Sequence, residues 1–194
     1  MRGFGGGMVR VEIVPTEIAD VKLVRPGRHG DSRGFFSEVY RADAFRDAGL
    51  PVDWVQDNHS LSAAAGTVRG LHFQTPPFAQ DKLVRVVRGA VLDIAVDMRR
   101  SSPTFGRFVS RELSAENWLQ LFVPKGFAHG FCTLTADVEV LYKVTEYYAP
   151  KHDGGVAWND PDLAVAWPVD AASAILSEKD RKLPRLADLG APFE

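Results

Sequence analysis

From Lys82 onward the chain alternates with a period of two. Leu92, Ile94, Val96 and Met98 fall on one face, and Val91, Asp93, Ala95 and Asp97 fall on the other. That period belongs to an extended strand and not to a helix. Arg88-Gly89 is the tight turn expected between this strand and Leu83–Val87. A short alternating run followed by a turn signal recurs along most of the chain, which confines it to a small set of architectures.

Before this unit, residues 9–24 form short extended segments broken by Pro15. Pro26-Gly27 and Gly30-Asp31 are turn signals. Asp43–Ala48 has helical composition and is stopped by Gly49 and Pro51. Beyond it, Arg107–Leu113 alternates again and Ser114–Asn117 makes a single turn. Trp118–Val123, Phe131–Thr135 and Val138–Tyr148 are further strands, with Pro124-Lys125-Gly126 as a stop. Short, regularly spaced strands with little helix predict an all-β sandwich or barrel. No internal repeat or domain boundary interrupts residues 9–194, so one domain is expected. Residues 1–8 are glycine-rich and are expected to form a flexible extension, in which Met8 offers a second start. Its glycines lack the preceding strand and following lysine of a phosphate loop.

Composition narrows the function classes. The 194 residues are 45% hydrophobic, enough for one well-cored domain, and the net charge of -2 provides no basic field for nucleic acid. No apolar run reaches membrane-spanning length. Cys132 is the single cysteine, so no disulfide can close within the chain. A cytoplasmic location is the default for such a chain.

The chemistry concentrates in Val68-Arg69-Gly70-Leu71-His72-Phe73-Gln74 and in Lys82 shortly after. Two cations beside His72 favour its neutral imidazole, the form a general base needs near neutral pH. On Val138–Tyr148, Tyr142 shares a face with Val138, Val140 and Val144. It is therefore either a hydrogen-bonded core tyrosine or an acid at the floor of a pocket. Val55-Gln56-Asp57-Asn58-His59-Ser60 reads as a polar loop or as a set of partners for sugar hydroxyls. The aromatic run Asp31–Tyr40, with its Phe35-Phe36 pair, is either a buried strand or an exposed stacking platform beside Arg33.

Five histidines raise the question of a metal. Pro124-Lys125-Gly126-Phe127-Ala128-His129 resembles the second motif of cupins, but His72-Phe73-Gln74 lacks the paired histidines and following glutamate of a metal-binding first motif. Zinc and iron sites need about three protein ligands. No metal is expected.

Taken in order, these motifs are similar to those of the dTDP-4-dehydrorhamnose 3,5-epimerases. The resemblance rests on Asp31–Glu38, Val55–Ser60, Val68–Gln74, Lys82–Gly89 and Pro124–Phe131. It continues through Tyr142-Lys143, Tyr147–Pro150, Trp158–Pro161 and Ser177–Asp180, and so covers roughly Asp31 to Asp180. It implies a metal-free cupin jelly roll, no cofactor, a dTDP-4-keto-6-deoxy sugar as substrate, and a homodimer. By position it makes His72 the proton acceptor, Asp180 its paired carboxylate, Tyr142 the proton donor and Lys82 the enolate-stabilising cation. Arg33, Phe36, Glu38, Gln56, Asp57, Asn58, Arg69, His129, Asp153 and Lys179 fall on substrate-binding positions, with Arg33 and Phe36 reaching across the dimer. Asp153 stands where some members have glutamate, and His29 where some have phenylalanine. Rival readings are an epimerase acting at carbon 3 or carbon 5 alone, a metal-dependent cupin enzyme, and a non-catalytic sugar-binding cupin.

Overall fold

The computed structural model describes residues 11–194; the expectation for residues 1–8 lies outside them. The N-terminal part contains β1 (Glu12–Pro15), β2 (Lys22–Arg25), the small hairpin β3 (His29–Asp31) and β4 (Gly34–Phe36), and helix α1 (Ala42–Asp47). Then follow β5 (Gln56–Ser62), β6 (Val68–Gln74), β7 (Lys82–Arg88) and β8 (Ala90–Asp97). The remaining strands are β9 (Phe108–Ser114), β10 (Gln120–Val123), β11 (Phe127–Thr133), β12 (Val138–Val144) and β13 (Asp153–Gly155).

Two antiparallel sheets face each other, ordered β1-β2-β10-β7-β12-β5 and β13-β6-β11-β8-β9. This is the expected all-β cupin-type jelly roll. Both faces of β8 are used as its alternation predicts. Val91 and Ala95 join the cluster between the sheets, with Val84, Val86, Leu121, Phe131, Val138 and Val140. Ile94, Val96 and Met98 face outward, where Leu71, Phe73, Leu163 and Phe193 cover them. A C-terminal segment with little regular structure therefore closes the back of the second sheet.

Several expectations change. Residues 56–62 form a strand and not a loop, with Gln56, Asn58, Ser60 and Ser62 less exposed than Asp57, His59 and Leu61. Polar residues occupy the inward face here, the reverse of the usual alternation. Gly89 does reverse the chain at φ +73°, but β7 and β8 belong to opposite sheets and do not pair. Trp118 lies at φ +61°, so β10 begins two residues later than predicted, whereas β11 begins four residues earlier. The strand expected over 138–148 ends at Val144. The Phe35-Phe36 pair is no buried strand: the two rings are 51% and 67% exposed on the β3–β4 hairpin.

One irregularity positions the site. Against β11, His129 pairs with His72 and Phe131 with Arg69, so two steps on β11 answer three on β6. The extra residue is a bulge within Gly70–Leu71, and Gly70 takes φ +123°. The two backbones approach so closely that a Cβ on Gly130 would lie 2.6 Å from the Arg69 carbonyl oxygen. Gly130→Ala is therefore expected to cost about 1–3 kcal/mol by overpacking. Thermal melting checks this, and an unchanged melting temperature would show that the strands have room to part.

Candidate active site

Strict alternation would send Arg69 and His72, three residues apart, to opposite faces. The β6 bulge brings both into one cleft between the sheets, with Lys82, His129, Tyr142, Ser177 and Asp180. This part of the cleft holds about 440 Å³. Past His72, Lys82 and Tyr142 it continues into about 410 Å³ bordered by Gln56, Asn58, Gln74, Tyr148 and Asp153.

The imidazole of His72 bonds through Nε2 to Asp180 Oδ1 at 2.5 Å. Asp180 is buried at the start of a 3₁₀ turn, Asp180–Lys182, in the C-terminal segment. Ser177 Oγ donates to its second oxygen at 2.9 Å and accepts from its backbone N–H at 3.1 Å. Burial pushes the Asp180 pKa up, but the hydrogen bond and charge of His72, with Ser177 and Lys179, outweigh it. The net direction is down, so the carboxylate stays ionised. With Nε2 committed to Asp180, Nδ1 is the ring nitrogen left for proton transfer.

Lys82 opens β7 and reaches back to the His72 carbonyl, donating from Nζ at 3.4 Å. It is buried, and that burial lowers its pKa to about 8. Asp93 and Asp153 oppose the shift, while Lys179 adds to it. Tyr142 is held by β12 with its ring against the inter-sheet core, and burial pushes its pKa up against the opposing charge of Arg69. A phenol kept protonated, an ammonium and a carboxylate-held imidazole thus border one space.

Residues 15–188 match the family model for dTDP-4-dehydrorhamnose 3,5-epimerase. The chain belongs to this family. The epimerase of Sinorhizobium fredii is 56% identical over 177 residues, covering 91% of this chain and 90% of that one. The Bacillus anthracis epimerase, solved with TDP and PPi bound, is 52% identical with a TM-score of 0.87, covering 90% of this chain and 99% of that one. A Legionella pneumophila epimerase in complex with dTDP-4-keto-L-rhamnose is 42% identical with a TM-score of 0.88, covering 93% and 95%.

The cleft gathers some of the predicted binding residues and leaves others outside. Arg69 is braced across the cleft by Nε donating to Ser62 Oγ at 3.0 Å and Nη2 to the Leu61 carbonyl at 3.0 Å. Gln56 donates to Asn58 at 2.7 Å, both on the inward face of β5. Lys179 forms an ion pair with Asp153, which also accepts from the Tyr148 hydroxyl at 2.8 Å. His129 is buried, with Nε2 at 2.9 Å from Asp93 Oδ1. Asp57 instead alternates away from the cleft and pairs with Lys143. Glu38 pairs with Arg41 on the surface. Arg33 binds Asp31 on the exposed hairpin, whose own cavity includes Phe36 and shares no residue with the cleft. Among the described residues, no group of three His, Cys, Asp or Glu side chains converges as a metal site.

Residue-by-residue reading assigned no role to Ser177, although it stood inside a matched motif. Asp93 was also missed, and its signal was an acid on the apolar face of a core strand. Catalysis that needs the Lys82 ammonium loses it as pH rises through the lowered pKa of about 8. The kcat/KM profile is expected to fall above about pH 8, and that limb should move to higher pH in Lys82→Arg. A profile flat to pH 10 would contradict the need for a charged Lys82.

Proposed function

We propose that this protein inverts carbons 3 and 5 of dTDP-4-dehydro-6-deoxy-D-glucose to give dTDP-4-dehydro-L-rhamnose, as a step of dTDP-rhamnose biosynthesis. The observation that carries the reading is the convergence of the His72–Asp180 pair, the buried Lys82 and Tyr142 on one cleft.

A 4-keto group acidifies the C–H bonds on its two neighbouring carbons. His72 takes the proton, and the C–H electron pair moves through the new carbon–carbon double bond to the carbonyl oxygen. Lys82 faces the resulting enolate oxygen and stabilises it as it forms. Asp180 holds the imidazole and stabilises the imidazolium. Tyr142 then gives its proton to the same carbon from the opposite face. The imidazolium and phenolate return to their starting states by exchange with water, so atoms and charge balance. Each unit of pKa mismatch between base and carbon acid costs about 1.36 kcal/mol, which is why the enolate needs a fixed cation.

In this reading Arg69 and Lys179 meet the diphosphate, while Gln56, Asn58 and His129 bond sugar hydroxyls. Asp153 completes the binding positions within this cleft, whereas Glu38 and Asp57 lie outside it. Arg33 and Phe36 serve the cleft of a second protomer. Support for a homodimer comes from the exposed Phe36 and Arg33 and from an apolar groove on the outer sheet face beside Tyr40, Leu83 and Leu141. A cytoplasmic location fits a chain whose single cysteine, Cys132, is buried and in which no described helix is long and apolar enough to cross a membrane.

Product NMR in deuterated water tests the reading. Deuterium is expected at both carbon 3 and carbon 5. Exchange at one position alone would make the protein a single-site epimerase, and none would remove the activity. Tyr142→Phe is expected to impair the completed double inversion more than deuterium entry at carbon 3. An unchanged product distribution would remove Tyr142 as donor.

A further inference from the structure

Asp93 lies on β8 between the two sheets and is fully buried. Its Oδ1 bonds to His129 Nε2 at 2.9 Å. Its Oδ2 is buried with no hydrogen-bond partner. An unpaired carboxylate oxygen in such a place is costly, and a purely structural position would be better served by a neutral side chain. The cleft holds a buried cation, Lys82, and Asp93 is the charge that most favours its protonated form.

We propose that Asp93 is a positioning residue of the epimerisation: one oxygen fixes the His129 ring, and the other is the buried counter-charge of the Lys82 ammonium. Asp93 acts on Lys82 through space, across the gap between β8 and β7. The Nε2–H of His129 is committed to the carboxylate, which leaves Nδ1 as an acceptor for a substrate hydroxyl. The site then contains two imidazole–carboxylate pairs at one register position, since His72 and His129 are opposite each other on β6 and β11. They differ in burial. The His72 ring is 30% exposed and moves protons; the His129 ring is 9% exposed and binds.

Other charges also surround Lys82. Arg69 and His72 border it from β6, Asp153 from β13 and Tyr142 from β12. Lys179 and Asp180 border it from the C-terminal segment. Asp153 and Asp180 each have a nearby cationic or imidazole partner of their own. Asp93 holds an imidazole as well, but of these three carboxylates it is the one whose remaining oxygen is fully buried without a hydrogen-bond partner.

The inference rests on the reading of Lys82 as the enolate's cation, and Asp93→Asn tests it. Asparagine keeps the shape and an acceptor for His129 but removes the charge. The alkaline limb of kcat/KM is expected to move down by about one pH unit, with roughly fivefold lower activity at pH 8. A limb that stays in place, with plateau activity within twofold of the parent, would overturn the proposal. The parent is run alongside: if it exchanges no deuterium, the reading of the site has failed, whereas normal exchange with an unmoved limb fails Asp93 alone. Should Asp93→Asn not fold, melting temperatures decide. Lys82→Met strands the carboxylate, so adding Asp93→Asn is expected to restore most of the lost melting temperature. A double variant that melts lower than Lys82→Met, or does not fold, would also overturn it.

Discussion

The bond between His72 Nε2 and Asp180 Oδ1 is the interaction on which the rest of the site depends. It joins residues 108 positions apart, one on a central strand and the other in a C-terminal segment with little regular structure. That segment must be seated before the base is oriented. The Thr67–Ile175 bridge, the Ala157 N–H to Pro184 carbonyl bond and the Leu163 and Phe193 contacts beneath β8 seat it. Packing on the back of the second sheet thus sets the orientation of the His72 ring at its front.

The cleft also concentrates charge in a fold with an apolar interior. Burying an ammonium is unfavourable unless opposite charges stand nearby. Here the carboxylates of Asp93 and Asp153 partly offset the burial of Lys82, leaving its pKa depressed but close to neutral. A cation held this way is poorly solvated by water and ready to meet a developing oxyanion. The same carboxylates hold His129 and Lys179, so these two side chains and Lys82 share one electrostatic frame.

Much of this was legible in the sequence because alternation reports burial directly. The faces of β8 and of Val138–Val144 were assigned correctly from a period of two, and the turn at Gly89 was placed. Reading failed where function reverses that code. Gln56, Asn58, Ser60 and Ser62 turn inward to line a polar cleft, so their strand looked like a loop. The β6 bulge was invisible because a two-against-three register exists only between strands. Without it, Arg69 and His72 would have been placed on opposite faces. His72, Lys82 and Tyr142 stood out from their local sequence, but the pairing of Asp180 with His72 came from the resemblance, since no local pattern ties the two. Phe35 and Phe36 remained ambiguous, since an exposed aromatic pair on a hairpin has the composition of a buried strand.

In the proposed reaction the imidazole of His72, held by Asp180, removes the carbon-bound proton. Turnover of His72→Ala, measured on protein whose melting temperature and circular dichroism match the parent, tests it most directly. A loss of about 100- to 10,000-fold is expected, as for positioned acid–base groups. Activity within a few-fold of the parent would show that the proton leaves by another route.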